Sequence, residues 1–301
     1  MSAYIFIDGE AGTTGLGIAQ RLRAQPGISL ISLEESHRKD PAARADAMGR
    51  ADITVLCLPD DAAREAVALA PATARILDAS TAHRTAAGWV YGFPELNAAQ
   101  AREIAGARLV SNPGCYATGA IALLRPLIDA GILPPDHDVT INAVSGYSGG
   151  GKAMIAAHEA QGGPAFELYA LGLAHKHVPE IMAVSGLSRR PIFSPSVGHF
   201  AQGMLVCVPL FLDRLPGAPS GHDISKVYRD HFDGATNILP HAGIYSGNLA
   251  PEALNSTDRL EIFVCANNLY NHAVLIARLD NLGKGASGAA VQNILLMLGH
   301  K

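Results

Sequence analysis

The sequence predicts an α/β protein, with a doubly wound parallel sheet followed by an α+β domain with a mixed sheet. Short apolar runs alternate with helical patterns as far as Cys115, and the first run ends in a glycine turn. Longer β-rich runs follow after Val139. A hydrophobic content of 49% with 17% charged residues indicates a globular chain with a large core.

The first apolar run, residues 4–8, precedes a glycine turn and a helical pattern with Leu16, Ala19 and Leu22 on one face. Glycines let the backbone approach a pyrophosphate, whose charge a helix N-terminus stabilises. The spacing is G-x-x-G-x-x-G instead of the more common G-x-G-x-x-G, so an ordinary βα turn is the alternative. The predicted cofactor-binding residues of this turn are Gly9, Gly12, Thr13, Thr14 and Gly15.

The segment after the second predicted strand, residues 28–33, carries both acidic and basic side chains. A dinucleotide fold contacts the adenosine ribose here, and acidic residues favour NAD whereas basic ones favour NADP. A hydroxyl and two cations suit a 2′-phosphate, so Ser36, Arg38 and Lys39 are predicted to bind NADP. The two preceding glutamates would then face solvent, and a solvated charged loop is the alternative.

The alternation continues as far as residue 78. It predicts helices at 42–48 and 61–69 and strands at 53–58 and 74–78. In a parallel sheet the carboxyl ends of the strands open toward the ligand crevice. Pro59 and Ser80 follow two such ends and are predicted to contact the cofactor. Arg84 is a candidate for binding a substrate carboxylate, although an exposed loop arginine is the more common case.

Cys115 lies where a short apolar run turns through residues 111–114 into a helical pattern. Unpaired N–H groups and the positive dipole end of a helix stabilise a thiolate, so Cys115 is the predicted nucleophile. A buried, inert thiol is the alternative. Cys57, Cys207 and Cys265 fall within strand patterns and are predicted to pack as small hydrophobes.

A segment rich in glycines and hydroxyls follows the predicted strand 139–144. Its hydroxyls, backbone amides and lysine suit an oxyanion such as phosphate, with a flexible hairpin or loop as the alternative. The predicted substrate-binding residues, with Asn112 from the turn before Cys115 and Arg84 from above, are Ser145, Gly146, Ser148, Gly149 and Lys152.

Two histidines, His175 and His177, open another helical run that includes Glu180. No third metal ligand has convincing spacing, so no metal site is predicted. An imidazole titrates near neutrality and can exchange a proton beside a thiolate intermediate, with Glu180 orienting it. His175 is the preferred acid–base residue, and His177 and Glu180 are predicted to shape the pocket.

The remaining chain contains β-rich runs at 201–209, 260–267 and 272–279 and one helical pattern at 224–232, which predict a mixed sheet. The final segment leads through several glycines into a helix. Small side chains would let that helix approach a cofactor closely, so Gly285 and Ser287 are predicted to bind it.

The composition also bounds the class of partner. A net charge of −4 without basic runs argues against nucleic acid or an anionic membrane as the main partner. No apolar run approaches the ~20 residues of a membrane span, and the four cysteines lack a C-x-x-C pair. We therefore expect a small-molecule substrate, a reducing compartment and a cytoplasmic location.

Five ordered motifs together make the chain resemble the short type of the N-acetyl-γ-glutamyl-phosphate reductase family over nearly its full length. They are residues 9–15, 111–118, 145–152, 175–180 and 281–290. The resemblance implies a Rossmann domain at 1–114 completed by 282–301, a catalytic and dimerisation domain at 115–281, and a homo-oligomer, either dimer or tetramer.

The same resemblance implies an activity. This is NADPH-dependent reduction of N-acetyl-glutamyl 5-phosphate to N-acetyl-glutamate 5-semialdehyde with release of phosphate, in arginine biosynthesis. It also implies that Cys115 is the nucleophile and that the acid–base residue is one of His175 and His177.

Two other functions remain open at this point. Aspartate-semialdehyde dehydrogenase is similar in fold and also uses a cysteine with NADPH, but the His-x-His-x-Pro-Glu stretch and the Gly-Cys-Tyr-Ala-Thr run favour the arginine-pathway enzyme. A nucleotide-sensing regulator could keep the Rossmann domain without turnover. The presence of Cys115 together with both histidines argues against a regulator.

Overall fold

The structure, a computed structural model, describes residues 2–300. The chain forms two compact units, here called unit 1 and unit 2. Unit 1 contains the residues up to Pro94, Ala98–Pro113 and the residues from Ala286 onward. Unit 2 contains Glu95–Asn97 and Gly114–Gly285. The division of cofactor binding and catalysis between the two parts of the chain stays a prediction.

Unit 1 is built on a parallel sheet. Its strands are β1 (Ala3–Asp8), β2 (Ile28–Ile31), β3 (Ile53–Leu56), β4 (Ile76–Asp78), β5 (Val90–Tyr91) and β6 (Leu109–Ser111). They lie in the order β2-β1-β3-β4-β6-β5, and every neighbouring pair is parallel. The helices are α1 (Thr13–Arg23), α2 (Pro41–Arg50), α3 (Asp60–Leu69), α4 (Gln100–Gly106) and the C-terminal helix Gly288–Met297. The predicted Rossmann-type sheet is confirmed.

Apolar clusters cover both faces of this sheet. Ile5 and Phe6 are neighbours in β1 and point to opposite faces. Ile5 packs with Ile18 of α1 and Ile294 of the C-terminal helix, and all three are fully buried. Phe6 packs with Met48 of α2 in a second cluster. Each such side chain stabilises the fold by about 1.5–3 kcal/mol.

The predicted buried face of α1 is wrong in one position. Leu16 is half exposed, and the buried residues of the helix are Gly15, Ile18, Ala19 and Leu22. Gly15 is buried against the glycine turn, where a Cβ would lie 2.6 Å from the carbonyl oxygen of Gly9. The first turn of α1 therefore requires a glycine at this position.

Unit 2 is built on a mixed sheet. Its strands are β7 (Thr140–Gly146), β8 (Phe166–Leu168), β9 (Ile192–Gly198), β10 (Met204–Phe211), β11 (Ile238–Ile244), β12 (Leu260–Asn267) and β13 (His272–Leu279). Their order is β11-β12-β13-β10-β7-β9-β8, with β7/β9 and β11/β12 parallel and the other pairs antiparallel. The helices are α5 (Cys115–Asp129), α6 (Gly151–Gln161), α7 (Val178–Ser185) and α8 (Gly221–His231). The predicted mixed sheet is confirmed.

The two faces of this sheet differ. Helix α5 packs on one face so closely that a Cβ on Gly119 would lie 2.7 Å from Val206. Along β10, residues that point toward α5 are buried and the intervening residues are not. We call the second side the open face, and it is formed by Leu205, Cys207, Pro209, Phe211, Val274 and Ile276.

Several predicted boundaries need correction. Strands β2 and β3 end two residues earlier than predicted, at Ile31 and Leu56. The predicted oxyanion segment at 145–152 comprises the end of β7, a 3₁₀ turn over Tyr147–Gly150 and the start of α6, so the alternative of a flexible hairpin or loop is wrong. Sequence patterns gave no sign of α4, β8, β9 or β11. Within residues 2–300, no helix is both long and apolar enough to cross a membrane.

Candidate active site

Cys115 is the first residue of α5, and Gly114 is its extended N-cap residue with φ −76° and ψ 148°. A side chain from α7 meets this helix end: Glu180 accepts a hydrogen bond of 3.1 Å from the backbone N–H of Gly114. Glu180 is only 1% exposed. One N–H group at the start of α5 is therefore bonded to a buried carboxylate, so the expectation that these groups are unpaired is wrong for Gly114.

His175 and His177 lie together beside the same helix end. Their ring centroids are 4.7 Å apart, and the ring of Tyr116, the residue after Cys115, is 5.9 and 6.0 Å from them. Nδ1 of His175 accepts a hydrogen bond of 3.1 Å from the backbone N–H of His177. Because Nδ1 is an acceptor, the neutral His175 ring carries its proton on Nε2.

The two histidines differ in their polar neighbours. Nε2 of His175 is 3.5 Å from the hydroxyl of Tyr169, whereas Nε2 of the buried His177 is 4.0 Å from Oε1 of Glu180. A carboxylate at that distance favours the charged form of an imidazole ring. The predicted cluster of His175, His177 and Glu180 is therefore brought together, with Glu180 beside His177.

Two tyrosines complete this cluster and were not predicted from sequence. The hydroxyl of Tyr116 donates to the carbonyl of Ser196 at 2.9 Å, and burial raises the pKa of Tyr116. Burial, together with the negative charge of Cys115, raises the pKa of Tyr169 to about 12. Both hydroxyls consequently stay protonated at neutral pH. Tyr116 stands in the motif 111–118 without a role having been predicted for it, and no motif includes Tyr169.

The predicted phosphate segment is partly buried. The side chains of Ser145 and Ser148 are buried, and the hydroxyl of Ser148 accepts a hydrogen bond of 2.9 Å from the amide of Asn281. A Cβ on Gly149 would lie 3.2 Å from the hydroxyl of Ser145, so these residues form one compact group. Lys152 is exposed in the first turn of α6. Asn281 belongs to a predicted motif, but its contact with Ser148 could not be foreseen.

The glycine segment before the C-terminal helix contacts Cys115. A Cβ on Gly285 would lie 2.9 Å from the Cβ of Cys115. The neighbouring Lys284 is 1% exposed, and its ammonium lies 2.8 Å from both carboxylate oxygens of Glu95. This ion pair links positions 189 residues apart and holds the turn beside Cys115. Lys284 and Glu95 were missed by the sequence patterns.

The glycine turn of unit 1 has the features that a dinucleotide requires. Gly9 has φ +87°, and a Cβ there would lie 2.4 Å from the carbonyl oxygen of Cys57. Gly12 is the N-cap residue of α1, and no side chain caps that helix end. The turn can therefore approach a pyrophosphate with its backbone, and the residues fit a nicotinamide dinucleotide.

A pocket beside this turn lies where the adenosine ribose is expected. It is lined by Phe6, Ile7, Asp8, Gly9, Glu10, Ala11, Ile31, Ser32, Leu33, Arg38 and Leu58. Arg38 thus lines the pocket, whereas Ser36 and Lys39 are exposed in the adjoining turn. Asp8 is paired with Arg44 of α2 at 2.6 Å, which offsets its charge. Arg44 was not among the predicted residues.

Other predicted ligand residues of unit 1 have structural contacts of their own. Pro59 is the N-cap residue of α3. Asn112 is buried, where its amide donates to the carbonyl of Ala286 at 3.1 Å and accepts from Asn293 at 3.2 Å. The hydroxyl of Ser287 would lie 3.1 Å from a Cβ on Gly17. Their roles toward ligands stay predictions.

The cysteines outside the cluster differ from Cys115 in their surroundings. None of the four forms a disulfide. Burial and two carboxylates raise the pKa of Cys57 to about 12, and burial raises the pKa of Cys207 to about 11. Burial also raises the pKa of Cys265. These three thiols are poor nucleophiles at neutral pH.

Family models match both parts of the chain. Residues 5–104 match the NAD-binding domain of semialdehyde dehydrogenases, and residues 115–281 match the semialdehyde dehydrogenase dimerisation domain. Among solved structures, aspartate semialdehyde dehydrogenase II from Vibrio cholerae is similar with a TM-score of 0.73 at 17% identity, covering 99% of both chains. The NADP complex of aspartate semialdehyde dehydrogenase from Candida albicans has a TM-score of 0.70 at 14% identity, also covering 99% of each chain. At these identities the likeness shows the fold.

Curated relatives are much closer in sequence. An N-acetyl-gamma-glutamyl-phosphate reductase from Chelativorans sp. is 51% identical, covering 99% of both chains. The relative named N-acetyl-gamma-glutamyl-phosphate reductase 2 from Pseudomonas putida is 52% identical over 98% of this chain and 96% of its own. Because half of all positions agree over nearly the whole length, the chain belongs to the N-acetyl-γ-glutamyl-phosphate reductase family, whose members are oxidoreductases of the semialdehyde dehydrogenase type.

Proposed function

We propose that the protein reduces N-acetyl-glutamyl 5-phosphate to N-acetyl-glutamate 5-semialdehyde with release of phosphate, using NADPH, in arginine biosynthesis. The observation that carries this proposal is the cluster at the start of α5. There Cys115 begins the helix, and Glu180 and the two histidines pack against its first turn. Relatives that share half of the sequence and carry the name of this reductase support the choice of substrate.

In the proposed mechanism, Cys115 attacks the acyl carbonyl as a thiolate. The carbon–oxygen bond to phosphate breaks, phosphate leaves with the bonding electrons, and a thioester with Cys115 remains. The thioester carbonyl would be reduced by the hydride that NADPH supplies when it is bound at the glycine turn. The resulting thiohemiacetal on Cys115 collapses to the free aldehyde and regenerates the thiolate.

Proton movement accompanies two of these steps. The oxyanion formed on reduction needs a donor, and it must lose a proton again when the carbon–sulfur bond breaks. His175 is the proposed acid–base residue, since its ring carries a proton on Nε2. His177 is the alternative, because the Glu180 carboxylate 4.0 Å away would stabilise its charged form.

The group of Ser145, Ser148 and Gly149 is the proposed site for the phosphoryl oxygens, with Lys152 as a nearby cation. Buried hydroxyls near exposed backbone amides are suited to a tetrahedral oxyanion. Arg84 is the proposed partner of the substrate α-carboxylate, because a guanidinium binds a carboxylate through two parallel hydrogen bonds.

NADP is the proposed cofactor, in preference to NAD. The pocket beside the glycine turn includes Arg38, and Lys39 follows it in the sequence. The two acidic residues of this pocket are both paired, Asp8 with Arg44 and Glu10 with Arg23. The local charge therefore suits a 2′-phosphate better than an unmodified ribose.

A second copy of this chain is the proposed partner of the open face. Residues 115–281 match a dimerisation domain, and on the open face Phe211 is 61% exposed and Val274 is 36% exposed. Contiguous apolar side chains on a sheet are costly in water. Phe211→Asp should therefore produce a smaller species in sedimentation velocity. Leu269→Asp in the β12–β13 turn is the control and should leave the size unchanged. An unchanged size for Phe211→Asp would contradict this interface.

One assay tests the proposed activity. NADP⁺ reduction is followed in the reverse direction with N-acetyl-glutamate semialdehyde and phosphate, and separately with aspartate semialdehyde and phosphate. We expect the N-acetyl-glutamyl compound to turn over at least tenfold faster in kcat/KM. Faster turnover of aspartate semialdehyde would replace the proposed substrate, and no turnover of either compound would favour a nucleotide-sensing regulator.

A further inference from the structure

Asp78 and His83 form a buried pair in unit 1 that the mechanism above does not use. Asp78 ends β4 and is fully buried. Its carboxylate accepts hydrogen bonds from the backbone N–H and the hydroxyl of Ser80, at 2.9 and 2.7 Å, and lies 2.6 Å from Nδ1 of His83. Because an ionised carboxylate only accepts hydrogen bonds, Nδ1 of His83 carries the proton in this contact.

The ring of His83 is also fixed on its face. It stacks on Trp89 with a centroid distance of 4.2 Å and an interplanar angle of 13°. Trp89 in turn packs against the core cluster that contains Phe6 and Ile76. A ring held at one edge by a buried charge and on one face by the core has a fixed orientation, and it fixes the backbone that carries it.

That backbone leads directly to Arg84. Nε of Arg84 donates to the carbonyl of Asn112 at 3.0 Å, and Nη2 donates to the carbonyl of Ala79 at 3.3 Å. Ala79 follows β4 and Asn112 follows β6, so the guanidinium lies along the carboxyl ends of two neighbouring strands. In an open parallel sheet this is the edge that binds ligands.

Ser80 does not depend on His83 in the same way. Its backbone and hydroxyl are bonded to Asp78 directly, and the N–H of Thr81 donates to Asp60 at 2.9 Å. Loss of the His83 ring would therefore release the Arg84 end of this loop and leave the Ser80 end bonded.

We propose that His83 is a positioning residue for carboxylate recognition: its contacts with Asp78 and Trp89 orient Arg84 toward the α-carboxylate of the substrate. This inference rests on the proposed function and adds a specificity determinant to it. His83 acts through Arg84 and makes no contact with the reacting atoms.

Three substitutions separate the two contacts of the ring. His83→Asn retains an N–H donor near the position of Nδ1, His83→Phe retains a ring that stacks on Trp89, and His83→Ala removes both. Loss of a hydrogen bond to a charged group commonly changes affinity about tenfold or more. We expect His83→Phe and His83→Ala to raise the KM for N-acetyl-glutamate semialdehyde about tenfold, with kcat changed less than about twofold. His83→Asn should restore most of the affinity, and the Kd for NADP⁺ should stay unchanged in all three.

A double-mutant cycle tests whether His83 acts through Arg84. In an Arg84→Met background, His83→Ala should raise the KM by less than about twofold. An undiminished tenfold effect in that background would overturn the inference. Equal weakening of NADP⁺ and semialdehyde binding would also overturn it, because that pattern indicates general damage to unit 1.

Binding without turnover separates this inference from the proposed function. Trp89 is the single tryptophan of the chain, so fluorescence excited selectively in tryptophan reports on this loop. N-acetyl-glutamate is the probe, titrated into wild type and the His83 variants. Tighter binding to wild type and His83→Asn than to His83→Ala supports the inference even if the reductase assay fails. Equal affinity for all variants, or no binding to wild type, overturns it.

Discussion

Glu180 accepts a hydrogen bond of 3.1 Å from the backbone N–H of Gly114, the N-cap residue of the helix that begins at Cys115. This contact brings a buried carboxylate to a helix end that also holds the proposed nucleophile. The carboxylate pairs a buried N–H donor that would otherwise have no acceptor. Its negative charge, however, disfavours a thiolate nearby. Stability and reactivity therefore respond differently to changes at position 180.

The first prediction separates these two effects. Glu180→Gln keeps an oxygen that accepts from Gly114 and should cost less than about 1 kcal/mol of stability, while Glu180→Ala leaves the N–H unsatisfied and should cost about 1–3 kcal/mol. Urea unfolding measures both. We also expect Glu180→Gln to act on KM more than on kcat, as His177→Asn should, because the charge that it removes lies beside His177. An unchanged KM in the Gln variant would show that Glu180 is only structural.

The second prediction concerns thiol reactivity. Cys115→Ser should abolish turnover and leave the Kd for NADP⁺ nearly unchanged, because a hydroxyl is a much weaker nucleophile. With pKa values raised to about 12 and about 11, Cys57 and Cys207 are thiolates at pH 8 in fractions of only about 10⁻⁴ and 10⁻³. Iodoacetamide at pH 8, followed by peptide mapping, should therefore label Cys115 first. Labelling of another cysteine with parallel loss of activity would contradict this prediction.

Sequence patterns predicted the fold well where the side-chain periodicity was strong. Strands β12 and β13 were predicted with their observed bounds because both are long, and β13 alternates regularly between buried and exposed side chains. Strands β9 and β11 were missed because Pro195 and Pro240 interrupt them, and an internal proline argues against a strand. Helix α6 was missed because two glycines precede it and a third, Gly151, is its first residue.

The site could be predicted only as far as its motifs. Cys115, His175, His177 and Glu180 stand in recognisable runs, and the structure brings them together. Tyr169 and Glu95 stand in no such run, and Lys284 stands in the motif 281–290 without a predicted role, since the part of all three in the site depends on contacts between distant segments. The Lys284–Glu95 pair spans 189 positions, which no local pattern can indicate. Such contacts follow from the packing of the whole unit.

The third prediction concerns the glycine beside the nucleophile. Gly285→Ala would bring a Cβ within 2.9 Å of the Cβ of Cys115, so one of the two must shift. Since a displacement of about 1 Å near the reacting atoms commonly costs about 10²-fold in rate, we expect kcat to fall by that order. Gly106→Ala is the matched control, because nothing lies within 4 Å of a Cβ there. A fully active Gly285→Ala enzyme would rule out a close fit at Cys115.

The fourth prediction concerns cofactor choice. Arg38→Ala and Lys39→Ala should each lower kcat/KM for NADPH and leave NADH nearly unchanged, since only NADPH carries a 2′-phosphate. Arg38 lines the pocket, so its loss should have the larger effect, at least about tenfold. Arg50→Ala, which removes an exposed cation paired with Asp46, is the control. Equal losses with both cofactors would assign the two cations another role.

The last prediction decides between the two histidines. Asparagine at position 175 can still accept the hydrogen bond from the N–H of His177, so His175→Asn removes Nε2 while the local backbone contact is retained. We expect kcat to fall by about 10²–10⁴-fold, the usual cost of losing a general acid–base group, while His177→Asn acts mainly on KM.

Two contacts argue for the opposite assignment: a second proton on His175 would displace its bond to His177, and Glu180 favours a charged His177. A pH series of kcat for both variants resolves this. If the near-neutral limb disappears only in His177→Asn, the roles are reversed, and if it persists in both, proton transfer runs through another group or through water.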